Sequence, residues 1–271
     1  MSVKASLHAI ELGSGLAWAS DMLIPVLATN GNPTRYLVHN YFPPHESPFV
    51  LNLASSDPEI LSRSREHCRA ALDLSAQLNA PFYSVHAGFA FAARPEQLGK
   101  NLTEVPRVPF GTAHENFVQS LREICAYGDA RGVRVLIENN VIASFNLVGG
   151  ENTIGLCATA EDFLRTFVDV GSQSLGLLVD VGHLKVTANA LGFSRHEFLD
   201  TVGGHVVAFH LSDNDGMDDQ NLPFGDDAWF LPRLNEFPKA TMILEAYRLD
   251  HEQIRSCCET IKRARHRPRV M

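Results

Sequence analysis

No CxxC pair occurs in this 271-residue sequence, and its five cysteines, Cys68, Cys125, Cys157, Cys257 and Cys258, are odd in number. That excludes a finger-type thiolate zinc site and supplies no disulfide framework, so reduced, mostly structural thiols are expected. Also missing is any run approaching the roughly 18 uninterrupted apolar residues of a membrane span. The first residues lack a basic start followed by an apolar stretch, so a cytoplasmic protein without a membrane partner is expected. Basic charge is scarce as well: 23 Lys and Arg stand against 31 Asp and Glu, a net charge of −8, which argues against a long basic track for nucleic acid. The basic cluster Lys262 to Arg269 reads as a solvated helix end and receives no role. A dinucleotide-binding fingerprint is only half supplied, by Gly13-Ser14-Gly15-Leu16. No linker, repeat or low-complexity tract divides the chain, so residues 1–271 are expected to form one domain. A single α/β barrel usually needs about 250 residues, and the 45% hydrophobic content provides its core.

What the chain does have is a series of short apolar runs that stop at, or just past, a His, Asp or Glu: Glu11, His39, His86, Glu138, Asp180, His210 and Glu245. The corresponding strand candidates are His8–Leu12, Arg35–Asn40, Phe82–His86, Val133–Glu138, Leu175–Asp180, Val206–Ser212 and Met242–Glu245. They lack clean polar alternation, which is how strands buried on both faces of a parallel sheet look. Helical stretches lie between them. Ser56-Asp57-Pro58-Glu59 starts one that continues to Leu78, and others run from about Ala113 to Ala130, Ala160 to Val168 and Glu252 to Arg265. Alternation of this kind implies right-handed crossovers and a parallel sheet. Ligand-type residues on nearly every strand favour a closed (β/α)8 TIM barrel over an open doubly wound sheet. Only seven strands are found, so either the first β/α unit is incomplete or atypical, or a strand lies near Pro25–Ala28. The long connections Ala87–Gly111, Asn139–Cys157 and Asp213–Asp227 fall on the catalytic face of such a barrel, where binding loops are found.

A carboxylate directly after three large apolar residues, as in Val135-Leu136-Ile137-Glu138, needs a cation or a proton to be tolerated. The same pattern recurs in Leu177-Leu178-Val179-Asp180, Val207-Ala208-Phe209-His210 and Ile243-Leu244-Glu245. Converging, these four make a site for a divalent ion of the Mn, Co, Mg or Zn type. His183 follows Asp180 at a spacing that turns both toward one cavity, with Gly182 expected to take an unusual backbone angle. His39 and His86, at adjacent strand ends, suit a second metal or a polyol. Glu11 is set aside as weakly specified.

These residues resemble the xylose-isomerase-like barrels, which include sugar isomerases and epimerases and endonuclease IV. The resemblance rests on His39-Asn40-Tyr41-Phe42, His86-Ala87-Gly88, Ile137-Glu138-Asn139, Asp180-Val181-Gly182-His183, His210-Leu211-Ser212-Asp213-Asn214 and Leu244-Glu245-Ala246. It implies a shared divalent metal held by Glu138, Asp180, His210 and Glu245, with Glu138 and Glu245 exchanging a proton with a sugar-like small molecule, and His183, His86 and His39 in the substrate pocket. The arginine that ketose 3-epimerases carry after the metal-binding histidine is absent from Asp213-Asn214-Asp215-Gly216-Met217. Arg248 or Lys185 is the alternative anchor, each with a surface salt bridge as the competing role. The endonuclease IV pattern would use His39, His86, Glu138, Asp180, His183, His210, Asp219 and Glu245, but its expected histidine two residues after Asp219 is Asn221. The resemblance thus implies first a metal-dependent isomerase or epimerase, or a related dehydratase, of a small sugar, sugar phosphate or related hydroxy-carbonyl compound, with a zinc phosphoesterase second and a non-catalytic barrel third; a homo-oligomer is compatible with each.

Overall fold

The structure, a computed structural model, describes residues 9–13, 34–92, 94–97 and 99–266. Seven parallel strands pair in chain order: β1 (Ala9–Leu12), β2 (Arg35–His39), β3 (Phe82–His86), β4 (Arg134–Glu138), β5 (Leu175–Asp180), β6 (Val206–Leu211) and β7 (Thr241–Leu244). They curl into a nearly closed α/β barrel. Six α-helices are described: α1 (Pro58–Gln77), α2 (Phe110–Asp129), α3 (Ala160–Val170), α4 (Val181–Leu191), α5 (Arg195–Val202) and α6 (His251–His266). The expected strand near Pro25–Ala28 lies outside the described residues. β1 pairs directly with β2, from Ala9 opposite Arg35 to Leu12 opposite Val38.

Local chemistry explains where the elements begin. The Asp57 carboxylate accepts the backbone N–H groups of Glu59 and Ile60 at 2.9 and 3.4 Å, and Pro58 occupies the first turn of α1, where its missing N–H costs nothing. Thr159 and Asp162 form a reciprocal capping box at the start of α3, and Gly171 ends it at φ 69°.

Strand periodicity then sorts the side chains into two cores. Val38, Tyr83, Val85, Val135, Ile137, Leu177, Val179 and Phe209 point outward into the main cluster against the helices. The alternate positions Leu37, Phe82, Leu136, Leu178 and Ala208, with Ile243 packed on them, fill the barrel interior as a separate cluster. Two residues further along each strand the interior side chain becomes polar: His39, Ser84, Glu138, Asp180, His210 and Glu245. A two-residue period thus lifts the polar groups one layer above an apolar plug at the C-terminal mouth.

Two expectations change. Asp180 to His183 is the start of a helix, since α4 begins at Val181 directly after β5. Gly182 has no positive φ; its need is space, because a Cβ there would meet Ser212 Oγ at 2.7 Å. All five cysteines are free. Burial pushes the Cys68, Cys125 and Cys157 thiols up to about 12, consistent with inert structural roles. Among the described residues no helix is long and apolar enough to cross a membrane.

Candidate metal centre

The strand register assembles the centre. His86 pairs opposite Glu138 across β3 and β4, and Asp180 opposite His210 across β5 and β6. Glu138, Asp180, His210 and Glu245 can each offer one ligand atom such that all lie within 4.8 Å of one another. His210 Nδ1 is 3.3 Å from Glu138 Oε1, 3.9 Å from Asp180 Oδ2 and 2.6 Å from Glu245 Oε2. Glu138 Oε2, Asp180 Oδ2 and His210 Nδ1 are buried without a hydrogen-bond partner. Three carboxylates and one imidazole, with the orphaned Asp180 Oδ2 and His210 Nδ1 3.9 Å apart and the orphaned Glu138 Oε2 on the side of His39 and His86, are a donor set that fits a hard or borderline divalent cation.

Asp180 and His210 are held from behind. The Asp180 Oδ1 atom caps α4 by accepting the His183 N–H at 2.7 Å, which leaves Oδ2 for the centre. Asn139 braces β5: its amide donates to the Asp180 carbonyl at 3.0 Å and accepts the Asp180 N–H at 2.8 Å. His210 Nε2 lies 2.8 Å from Glu11 Oε2, so a proton on Nε2 directs the Nδ1 lone pair inward. His39 Nδ1 is 3.0 Å from Ser84 Oγ, leaving Nε2 3.4 Å from Glu138 Oε2. His86 Nε2 approaches the same oxygen at 3.7 Å. His39, His86 and Glu138 form a second group with metal-compatible spacing, and Glu11, His39 and His210 a third.

Charge is unevenly shared. Burial raises the Glu138 carboxyl, but His86, His210 and His39 outweigh it and hold the group well below the usual range. Burial, reinforced by Glu245 and Glu138 against a lowering pull from His183, keeps Asp180 well above that range. Glu245 is lowered to about 2, because His210 overcomes the effect of burial. Burial depresses His210, but Glu11, Glu245 and Glu138 together raise it well above an ordinary imidazole. The centre is therefore built to hold positive charge at its middle.

Beside it opens a cavity of about 540 Å³, lined by Asn40, His86, His183 and Asp219 at one end and by residues of the connections after β3 and β4 at the other. His183 donates Nδ1–H to the Asn139 carbonyl at 2.9 Å and turns Nε2 to Asp219 Oδ2 at 3.2 Å. Of the expected pocket residues, His86 and His183 line this cavity, whereas His39 does not and lies instead against Glu138. Arg248 does not: it is exposed, with φ 58°, and does not line the cavity. Lys185 binds Asp213 Oδ1 at 2.7 Å. Glu11, set aside from the sequence, touches His210, and Tyr247, not anticipated at all, places its hydroxyl 3.5 Å from Glu245 Oε1.

A family model described as a xylose isomerase-like TIM barrel matches residues 26–264. A protein of Thermoplasma acidophilum named "Probable endonuclease 4" is 26% identical over 170 residues, 61% of this chain and 50% of that protein. Fructoselysine 3-epimerase of Escherichia coli O157:H7 is 23% identical over 185 residues, 68% of this chain and 58% of the enzyme. The chain thus spans about half the length of the curated relatives it matches. The crystal structure of a D-tagatose 3-epimerase-like protein superposes with a TM-score of 0.69 over 95% of this chain and 88% of that one, at 22% identity, a likeness of fold.

Proposed function

The chain belongs to the xylose isomerase-like TIM-barrel family, and on that premise we propose that it is a divalent-metal-dependent isomerase or epimerase of a small sugar or related hydroxy-carbonyl compound. The observation that carries this is the convergence of Glu138, Asp180, His210 and Glu245 around unpartnered buried atoms, beside a cavity sized for a small molecule. A bound divalent ion supplies Lewis acidity, which polarises a carbonyl and its neighbouring hydroxyl and eases loss of the proton between them. Glu138 and Glu245 enter from β4 and from just past β7. Glu245 and Glu138 are both held as carboxylates by the histidines around them, so either is in the base form needed to take that proton, and the other returns one only after taking it up from solvent, which carries solvent hydrogen into the product. His183, fixed by Asn139 and Asp219, and His86 face the cavity and bind hydroxyls.

A second reading, a zinc phosphoesterase, draws on the two oxygens of Glu138 facing different partners, His210 on one side and His39 with His86 on the other. The net charge of −8 weighs against a nucleic-acid backbone as substrate.

NMR detection of solvent deuterium entering beside the carbonyl, over a panel of ketoses and their phosphates with Mn²⁺ present, tests the leading assignment. Exchange is expected with at least one ketose and is expected to fall at least about a hundredfold in Glu138→Gln and Glu245→Gln. Exchange untouched in both variants removes the proton-transfer role. Zinc-dependent hydrolysis of phosphodiesters without any exchange selects the second reading.

A further inference from the structure

The lining of the cavity divides by origin. Its polar end comes from strand termini and from the β6 to β7 connection, whereas Phe89, Phe91 and Leu102 after β3 and Ile142, Phe145 and Ile154 after β4 make the opposite wall. No lysine or arginine lines it among the described residues, and Asp218 and Asp219 add negative charge. A phosphate ester would therefore meet acidic groups and apolar side chains, with no lysine or arginine to accept it and with His183 already engaged by Asp219.

The apolar wall is constructed, not incidental. Phe91, Leu102, Ile142 and Ile154 belong to a buried cluster of their own, separate from both barrel cores. The two connections are stitched together by Ala90 N–H to the Ile154 carbonyl at 2.7 Å, Leu156 N–H to the Gly88 carbonyl at 3.0 Å and Leu102 N–H to Asn146 Oδ1 at 2.7 Å. Phe89 and Phe91 stand with ring centroids 5.0 Å apart, and Phe145 remains 42% exposed at this wall. A bare ketose, hydroxylated at every carbon, gains little from such a surface, but an aryl or alkyl group removes it from water.

We propose that this site acts on a ketose, or a closely related hydroxy-carbonyl sugar, that carries an uncharged apolar substituent, its polyol end at the His and carboxylate groups and its substituent against the two-loop wall. The proposal rests on the isomerase reading above and narrows it by excluding sugar phosphates.

Calorimetric titration of the full chain with Mn²⁺ present compares D-fructose, D-fructose 6-phosphate and the 1-O-benzyl and 6-O-benzyl ethers of D-fructose. One of the benzyl ethers is expected to bind at least about tenfold more tightly than D-fructose, from burial of the ring, and the phosphate no more tightly than D-fructose. Phe145→Ala, at an exposed position, is expected to remove most of that advantage, and Phe89→Ala provides an independent variant. Equal binding of all four probes, or a preference for the phosphate, overturns the proposal. Deuterium exchange is scored separately: preferential benzyl-ether binding without exchange supports the pocket assignment and removes the isomerase reading, whereas exchange fastest on D-fructose 6-phosphate does the reverse.

Discussion

His210 is fully buried and has a different neighbour at each nitrogen: Glu11 at Nε2, and the three carboxylates at Nδ1. If Glu11 holds the Nε2 proton, its removal frees the imidazole to change tautomer and rotate, and the donor facing the centre is lost. Glu11→Ala is therefore expected to weaken Mn²⁺ binding by roughly 10–100-fold in a calorimetric titration, and Glu11→Gln, which keeps an acceptor, to weaken it less. Unchanged affinity in Glu11→Ala would separate Glu11 from the centre. Glu11 ends one of the apolar runs visible in the sequence but was set aside as weakly specified, because β1 has four residues and is exposed at its start. Its partner is 199 residues away.

At the scale of elements, α1 is tied to the end of β2 through a buried histidine. His67 donates Nε2–H to the Asn40 carbonyl at 2.7 Å, and its Nδ1 lies 2.9 Å from His45 Nε2. Burial lowers His67 to about 4 against the raising effect of the Asn40 carbonyl, with His45 lowering it further. Because the folded value is depressed, the unfolded chain binds the proton first; the contribution is complete above pH 6.5 and is lost as pH falls from there toward 4. About 3 kcal/mol is at stake across that window. Urea unfolding in chelator is expected to show His67→Gln losing about that much less stability than wild type between pH 7 and 4; parallel pH dependences would contradict the assignment. The strands themselves were legible to within a residue or so, because interior parallel strands are continuous apolar runs. Helices α4 and α5 were not foreseen. Most of α4 is buried, so Val181 to Ala188 lacks an amphipathic stripe, and α5 has only eight residues behind its Ser194 cap. Glu138, Asp180, His210 and Glu245 were legible as candidates through repetition: one such residue at the end of an apolar strand is explained by a salt bridge, but four in the same pattern point to one shared site.

For the whole molecule, the same four residues make the barrel mouth electrostatically costly. Asp180 and His210 are fully buried, Glu138 nearly so, and all reach one point from β4, β5 and β6, with Glu245 added just past β7. The Asp180 carboxyl is held well above its ordinary value, chiefly by burial, with Glu245 and Glu138 adding to it. A raised folded value means that stability present below about pH 4 is lost progressively as pH rises from the unfolded aspartate value up through the higher folded one. At neutral pH and without metal, Asp180 therefore opposes folding. Asp180→Asn keeps an oxygen to cap α4 and removes the charge, so in chelator it is expected to be more stable than wild type by about 1–3 kcal/mol. With Mn²⁺ at a thousand times its dissociation constant the order reverses: wild type gains about 4.1 kcal/mol and the variant little. Thermal unfolding of both proteins at pH 7, with chelator and with Mn²⁺, measures this crossing directly. If Asp180→Asn is the less stable protein in chelator, the carboxylate's cap and its contact with His183 outweigh its burial cost; if both proteins gain equally from Mn²⁺, the cation is not held by Asp180.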